Sequence, residues 1–350
     1  MKEVLPDINR WNEGGDRIAV ATVVDVQRSA PRAPGAKMAV SDKGEISGGV
    51  SGGCVEGAVV EIAEQVLGGA APQLVHFGIA DSDAWDVGLP CGGEIDVWIQ
   101  EYQPSRFDEI ARSGGRAAEV TVVEGPQLGA KLLIDADGGR WGSLGSPELD
   151  DEAVRVAGEL LWTDTSERRG PLFIDVIAPA PRLILFGAVD IAAYLCTLAR
   201  DCDWRPYVVD PRGRFATPGR FPDAEEVIAA WPDEAFARLG GIDPATSIVV
   251  LTHDPKLDDA ALTIALRSPA RFVGAMGSRR AQAARRERLL AAGMSEEELE
   301  RLSAPVGLDL GAIGREETAL SILAQVVAAR HGRDGGALSA GGGRIHQVPA

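Results

Sequence analysis

Three shortages in this sequence each remove a class of function. It has no Cys-x-x-Cys pair, and four cysteines in 350 residues make no disulfide framework. A reducing cytoplasm is the simplest home for such a chain. No stretch approaches the ~18 consecutive apolar residues of a membrane span. At the N-terminus, MKEVLPDINRW places Glu3 and Asp7 where a secretory signal carries its apolar core. Basic residues are also short, 35 against 52 acids, for a net charge of −17. That excess repels nucleic-acid phosphates and anionic membrane surfaces, so neither is an expected partner. Missing too are Gly-x-Ser-x-Gly, a Walker lysine and His-Glu-x-x-His, which removes the common hydrolase, P-loop and zincin readings. No internal repeat is legible. With 45% hydrophobic and 25% charged residues the composition is that of a globular protein, and the length allows two domains with real cores.

What is present centres on residues 47–57, SGGVSGGCVEG. Glycines 48, 49, 52 and 53 leave the backbone bare, so a ligand can approach it closely. Cys54 follows at once. Val55, Val59, Ile62, Val66 and Leu67 then recur at helical spacing, with Glu56, Glu61 and Glu64 on other faces. Cys54 therefore sits near a helix start, where unpaired amides and the helix dipole favour a thiolate and attract anions. The bland alternative is a small packed residue in a tight turn. A second cysteine, Cys91, lies in DSDAWDVGLPCGGE (81–94) beside Gly92 and Gly93, ahead of a strand. Function and packing weigh equally for it. If the two loops meet, both thiols could face one soft ligand or metal, although their spacing is far wider than that of ordinary metal-binding pairs.

Around these loops, residues 17–27 and 36–40 read as strands separated by SAPRAPG (29–35). Further strands are expected at 73–77, 95–99, 118–123, 131–134 and 173–177, with helices at 107–112 and 152–161. Pro179 and Pro181 mark a linker. From Arg182 a strict strand–helix alternation begins: strands at 183–186, 206–209, 247–251 and 271–275, and helices at 192–198, 257–266 and from Arg279. This rhythm predicts a parallel, doubly wound sheet, a Rossmann-like α/β domain. Residues 315–330 supply a last helix. The domains implied are 1–178 and 179–331, followed by a Gly-rich tail, 332–350, expected to be disordered.

Within the second domain, Gly187 and Ala192 fit the outer positions of a dinucleotide fingerprint, and Asp210 closes the next strand where a ribose-binding acid belongs. Val189, however, replaces the glycine that admits a pyrophosphate, and Asp190 adds a negative charge beside it. The pattern predicts the fold and argues against ordinary NAD binding. His253 and Asp254 follow a strand at the edge where such sheets hold ligands; they suit proton transfer or, equally, helix capping. Gly277, Ser278, Arg279 and Arg280 open a helix with amides and guanidiniums suited to an anion, or form a solvated basic helix.

The segments GGVSGGCVEG (48–57), GLPCGGE (88–94), GAMGSR (274–279) and GLDLGA (307–312) resemble, in order, the signatures of the xanthine dehydrogenase accessory factor (XdhC/CoxI) family. The resemblance implies an N-terminal α/β XdhC/CoxI domain and a C-terminal Rossmann-like domain. It implies binding and protection of the molybdenum cofactor (molybdopterin), support of its sulfuration with a cysteine desulfurase, and insertion into xanthine dehydrogenase or a related molybdenum hydroxylase; carbon monoxide dehydrogenase maturation belongs to the same group. By the same resemblance Cys54 and Cys91 are candidate contacts to the molybdenum. A soft thiolate suits that metal, and bare amides suit the anionic end of the cofactor. Two other readings stay open: an NAD(P)-dependent oxidoreductase using Asp210 for the ribose and His253 for protons, with nicotinamide dinucleotide as cofactor, and a non-catalytic interaction scaffold. A homodimer is the default assembly.

Overall fold

A computed structural model describes residues 1–27, 31–78 and 93–340. The chain divides into two compact units, Met1–Pro179 and Ala180–Ala350.

The first unit begins with α1 (Leu5–Glu13) and continues through β1 (Ile18–Gln27), β2 (Lys37–Ser41), β3 (Ile46–Gly48), α2 (Glu56–Leu67), β4 (Gln73–Phe77) and β5 (Glu94–Glu101). The strands form one antiparallel sheet, ordered β3-β2-β1-β5-β4. The unbroken apolar text of β1 has a simple cause: both of its faces are covered. Ala19, Ala21 and Val23 pack against Val59, Ala63 and Val66 of α2, while Ile18 and Val20 pack against Ile8 and Trp11 of α1.

The chain then repeats this order with α3 (Arg106–Arg112), β6 (Ala117–Val122), β7 (Lys131–Asp135), β8 (Arg140–Ser143), α4 (Pro147–Leu160), β9 (Glu167–Arg169) and β10 (Leu172–Ile177), in a sheet ordered β8-β7-β6-β10-β9. The expectation of no repeat is thus corrected. At their turns the two copies share backbone hydrogen bonds. Gly35 donates to the Val23 carbonyl and Gly129 to that of Val122, both at 2.8 Å, while Gly44 and Gly138 close the same turn onto Ser41 and Asp135. These glycines share positive φ values, 91° and 82° for the first pair, 82° and 83° for the second. The repeat is carried by turn geometry and by the places of buried residues, which constrain residue class far more than residue identity. Val24 and Trp98 of the first copy meet Val123 and Phe173 of the second, packing sheet on sheet.

The second unit comprises β11 (Arg182–Phe186), α5 (Asp190–Asp201), β12 (Arg205–Val209), β13 (Glu226–Ile228), α6 (Pro232–Arg238), β14 (Ser247–Val250), α7 (Pro255–Arg267), β15 (Phe272–Ala275), α8 (Arg279–Ala291), α9 (Glu296–Glu300), β16 (Leu302–Ser303) and α10 (Arg315–Arg330). Its strands are all parallel, ordered β13-β12-β11-β14-β15-β16, the order of a dinucleotide-binding sheet. Helices α5 and α10 cover one face; α6, α7 and α8 cover the other. This is the α/β, doubly wound architecture that the strand–helix rhythm predicts. Tail residues 341–350 lie outside the described residues.

Candidate functional site

The C-terminal end of β1, the start of β2, the end of β3, the end of β4 and the start of β5 all fall on one edge of the first sheet. The glycine–cysteine loop leaves from that edge. So does the chain after Phe77, and it re-enters there at Glu94. Cys91 and Gly92, expected on this second loop, lie outside the described residues; Gly93 is described and immediately precedes β5.

Gly48 ends β3 at φ 75°, and a Cβ there would stand 2.3 Å from the Lys37 carbonyl oxygen. Only glycine lets the two strands close at that point. Gly49 then donates its amide to the same carbonyl at 2.9 Å. Val50 and Val55, both fully buried, pin the loop at either end. Between them Gly52 and Gly53 take φ values of 83° and 116°; among the described residues nothing lies within 4 Å of a Cβ built on Gly53, and Gly52 faces Pro31. Cys54 comes two residues before α2. Its thiol is free and half-buried, resting on the α2 core, and its amide donates to Ser51 Oγ at 3.0 Å.

The structure differs from expectation at the loop's amides. They are already engaged, by Glu56. One carboxylate oxygen accepts from the amides of Val50 (3.1 Å), Ser51 (2.8 Å) and Gly52 (3.0 Å). The other accepts from the amides of Gly53 (2.8 Å) and Val55 (3.2 Å) and from Ser51 Oγ (2.6 Å). Burial alone would raise the Glu56 pKa, but the Ser51 hydroxyl and the surrounding amides outweigh it and hold it down to about 2. An incoming phosphate would have to displace this internal anion. Ser51, Gly52 and Gly53, expected to hold an external anion through their amides, are held by Glu56 instead.

In the second unit, Gly187 takes φ 121°, and a Cβ there would lie 2.5 Å from Thr252 Cγ2, so the turns after β11 and β14 close tightly on each other. Asp210 is fully buried. It accepts from the Ala188 amide at 2.9 Å and from the Arg212 amide, Nε and Nη2 at 2.9, 2.9 and 2.7 Å. Burial would raise its pKa, yet these donors, Arg212 foremost, lower it. Expected to hold a ribose, Asp210 is spent on tying the β11 turn to the end of β12. Asp190, on the first turn of α5, is paired with Arg220 at 3.3 Å and Arg315 at 2.6 Å. It stands at the helix start where a pyrophosphate would sit in a dinucleotide-binding fold.

Asp254 caps α7 by accepting from the Lys256 amide, beside an exposed His253. Gly277 takes φ 136°, and Ser278 caps α8 through the Ala281 amide, with Arg279 and Arg280 exposed after it. Cys196 is buried in α5, where desolvation pushes its thiol up to about 12. Among the described residues no group of three or more His, Cys, Asp or Glu is placed to hold a metal ion, and no helix is long and apolar enough to cross a membrane.

The model of the XdhC and CoxI family matches residues 11–78 and 110–169, and that of the XdhC Rossmann domain matches residues 183–326. The chain belongs to the XdhC/CoxI family. The first model's two segments fall one in each copy of the repeat. A relative from Bacillus subtilis (strain 168), described as a probable subunit of xanthine dehydrogenase, is 28% identical over 91% of this chain and 94% of its own length. The molybdenum cofactor insertion chaperone PaoD of Escherichia coli (strain K12) is 26% identical over 90% of this chain and 84% of its own. A Bacillus halodurans crystal structure described as a xanthine dehydrogenase superposes with a TM-score of 0.65 at 26% identity, covering 94% of this chain and 96% of that one.

In this XdhC/CoxI chain, sequence reasoning passed over Glu56 as one of several acids on the polar side of a helix. The signal was an acid in the first turn directly after a glycine run, where it is the nearest anion to every bare amide.

Proposed function

We propose that this protein is a maturation factor for a xanthine dehydrogenase-type molybdenum hydroxylase. It binds the molybdenum cofactor as cargo, shelters it, supports its sulfuration with a cysteine desulfurase in the cytoplasm, and hands it to the client. The observation that carries this reading is the free, half-buried Cys54 thiol beside the open backbone at Gly53, in a chain whose relatives include a cofactor insertion chaperone. The cargo fits the loop at one end only. Its soft metal suits a thiolate, whereas its anionic end finds the loop amides held by Glu56. Cys91, in the second loop of the resemblance, is the further candidate contact to the molybdenum. Within the Rossmann domain, the Gly277–Arg280 turn is by itself a candidate anion site.

The test is cofactor co-purification. Cys54→Ser should retain far less molybdopterin than the wild type and sulfurate a client more slowly. Equal retention together with equal sulfuration would remove the thiol from the mechanism.

A further inference from the structure

The two copies of the N-terminal repeat place a carboxylate at the same point. In the second copy Asp150, on the first turn of α4, accepts from the Leu144 amide at 2.6 Å, as Glu56 accepts from Val50 in the first. Leu144 and Val50 are both fully buried, and Gly142 repeats Gly48: a Cβ on it would stand 2.3 Å from the Lys131 carbonyl oxygen. One such bond is therefore what the shared fold asks of this position.

Glu56 does much more. Its extra methylene carries the carboxylate under the amides of Ser51, Gly52, Gly53 and Val55. It also fixes Ser51 Oγ, which in turn receives the amides of Cys54 and Val55 at 3.0 Å each. The second copy has no counterpart to this cradle: there Ser146 caps the helix through Leu149, and no thiol follows.

We infer that Glu56 is the positioning residue of Cys54, an internal anion that holds the glycine loop in one shape and keeps the thiol half-buried against the α2 core. The inference rests on the cargo reading for its purpose but not for its test. Gly52 and Gly53 have no side chains of their own to fix them. Their conformations, open to few other residue types, are set by hydrogen bonds to a charged acceptor, each stronger than one to a neutral group. Removing the charge frees the loop and exposes the thiol more often. Both changes speed attack by the sulfur.

The experiment uses the full-length chain and follows iodoacetamide alkylation of the Cys54 peptide by mass spectrometry, together with hydrogen exchange across residues 50–55. Glu56→Gln should speed alkylation by about tenfold, as expected on losing one charge-assisted hydrogen bond, and should unprotect the 50–55 amides. Asp150→Asn, the matched change in the other copy, should leave both readouts at wild-type values. Should Glu56→Gln fail to fold, Glu56→Asp, with the reach of Asp150, should give an intermediate rate. The inference is overturned if the Glu56 variant alkylates within about twofold of the wild type, or if Asp150→Asn speeds Cys54 as much. Molybdopterin retention is measured in parallel. A wild type that binds none defeats the cargo reading and leaves the alkylation result standing by itself.

Discussion

Lys37 and Asp175 meet at 2.7 Å between the two sheets of the N-terminal unit, with 5% and 9% of their side chains exposed. Lys37 also donates to Thr22 Oγ1 at 3.0 Å, and its carbonyl is the oxygen against which Gly48 closes. The residue that receives the glycine loop is thus tied by its side chain to the other copy. Lys37→Ala would strand a buried carboxylate and should cost about 3–5 kcal/mol. Lys37→Met with Asp175→Leu, which removes both charges, should recover most of it. Guanidinium denaturation of the three proteins checks this; a single variant within about 1 kcal/mol of the wild type would show that the pair contributes little.

Gly48→Ala and Gly142→Ala should be matched injuries. Each places a methyl at 2.3 Å from a lysine carbonyl and forces an L-residue to a positive φ, 75° and 94°. A loss of about 3 kcal/mol or more is expected for each, read from denaturation midpoints. Only Gly48→Ala should also change alkylation of Cys54.

Acid should weaken the glycine loop through Glu56. Its folded pKa, about 2, lies below its ordinary 4.5. The stability it adds is therefore complete above about pH 4.5 and is lost as pH falls towards 2. Allowing for solvent screening at a partly exposed group, the contribution is about 1–2 kcal/mol. The stability gap between wild type and Glu56→Gln, measured by denaturation from neutral to acid pH, should narrow across that window. A gap that stays constant would mean that the charge of Glu56 does not hold the loop.

In the Rossmann domain, Gly187→Ala should destabilise through contact with Thr252 Cγ2 and through its φ of 121°. Thr252→Ser, which removes that methyl, should restore part of the loss and leave the backbone part, about 1–3 kcal/mol. A double-mutant cycle separates the two. Additive effects would mean that the methyl contact carries none of the cost.

Much of this architecture was legible in the residues. Strand Gln73–Phe77 and helix Arg315–Arg330 fall where the residue pattern puts them. Helix α4 starts at Pro147, ahead of the expected 152, because a Ser146 cap and a proline begin it before any apolar residue appears. Helix α1 has no clear signature in the sequence, since its short buried set of Leu5, Ile8 and Trp11 is diluted by charge. The glycine–cysteine loop was found as a place but not as a set of bonds. Composition shows bare amides; which carboxylate reaches them depends on where the helix starts and how long the acid is. Asp210 shows the same limit: its position fits a ribose ligand, while its partners, Arg212 and Ala188, become visible only once the turn is folded.

The second copy of the repeat supplies an internal reference for the half that carries Cys54, built from the same chain. Wherever matched positions of the two halves differ, at Glu56 and Asp150 or at the bare pair Gly52 and Gly53, the difference separates what the shared fold requires from what one half alone carries. Transplanting the segment 142–150 in place of 48–56 would then yield a silent twin that keeps the scaffold and loses the sulfur. Comparing it with its parent would isolate the chemistry from the architecture in a way that no single substitution can.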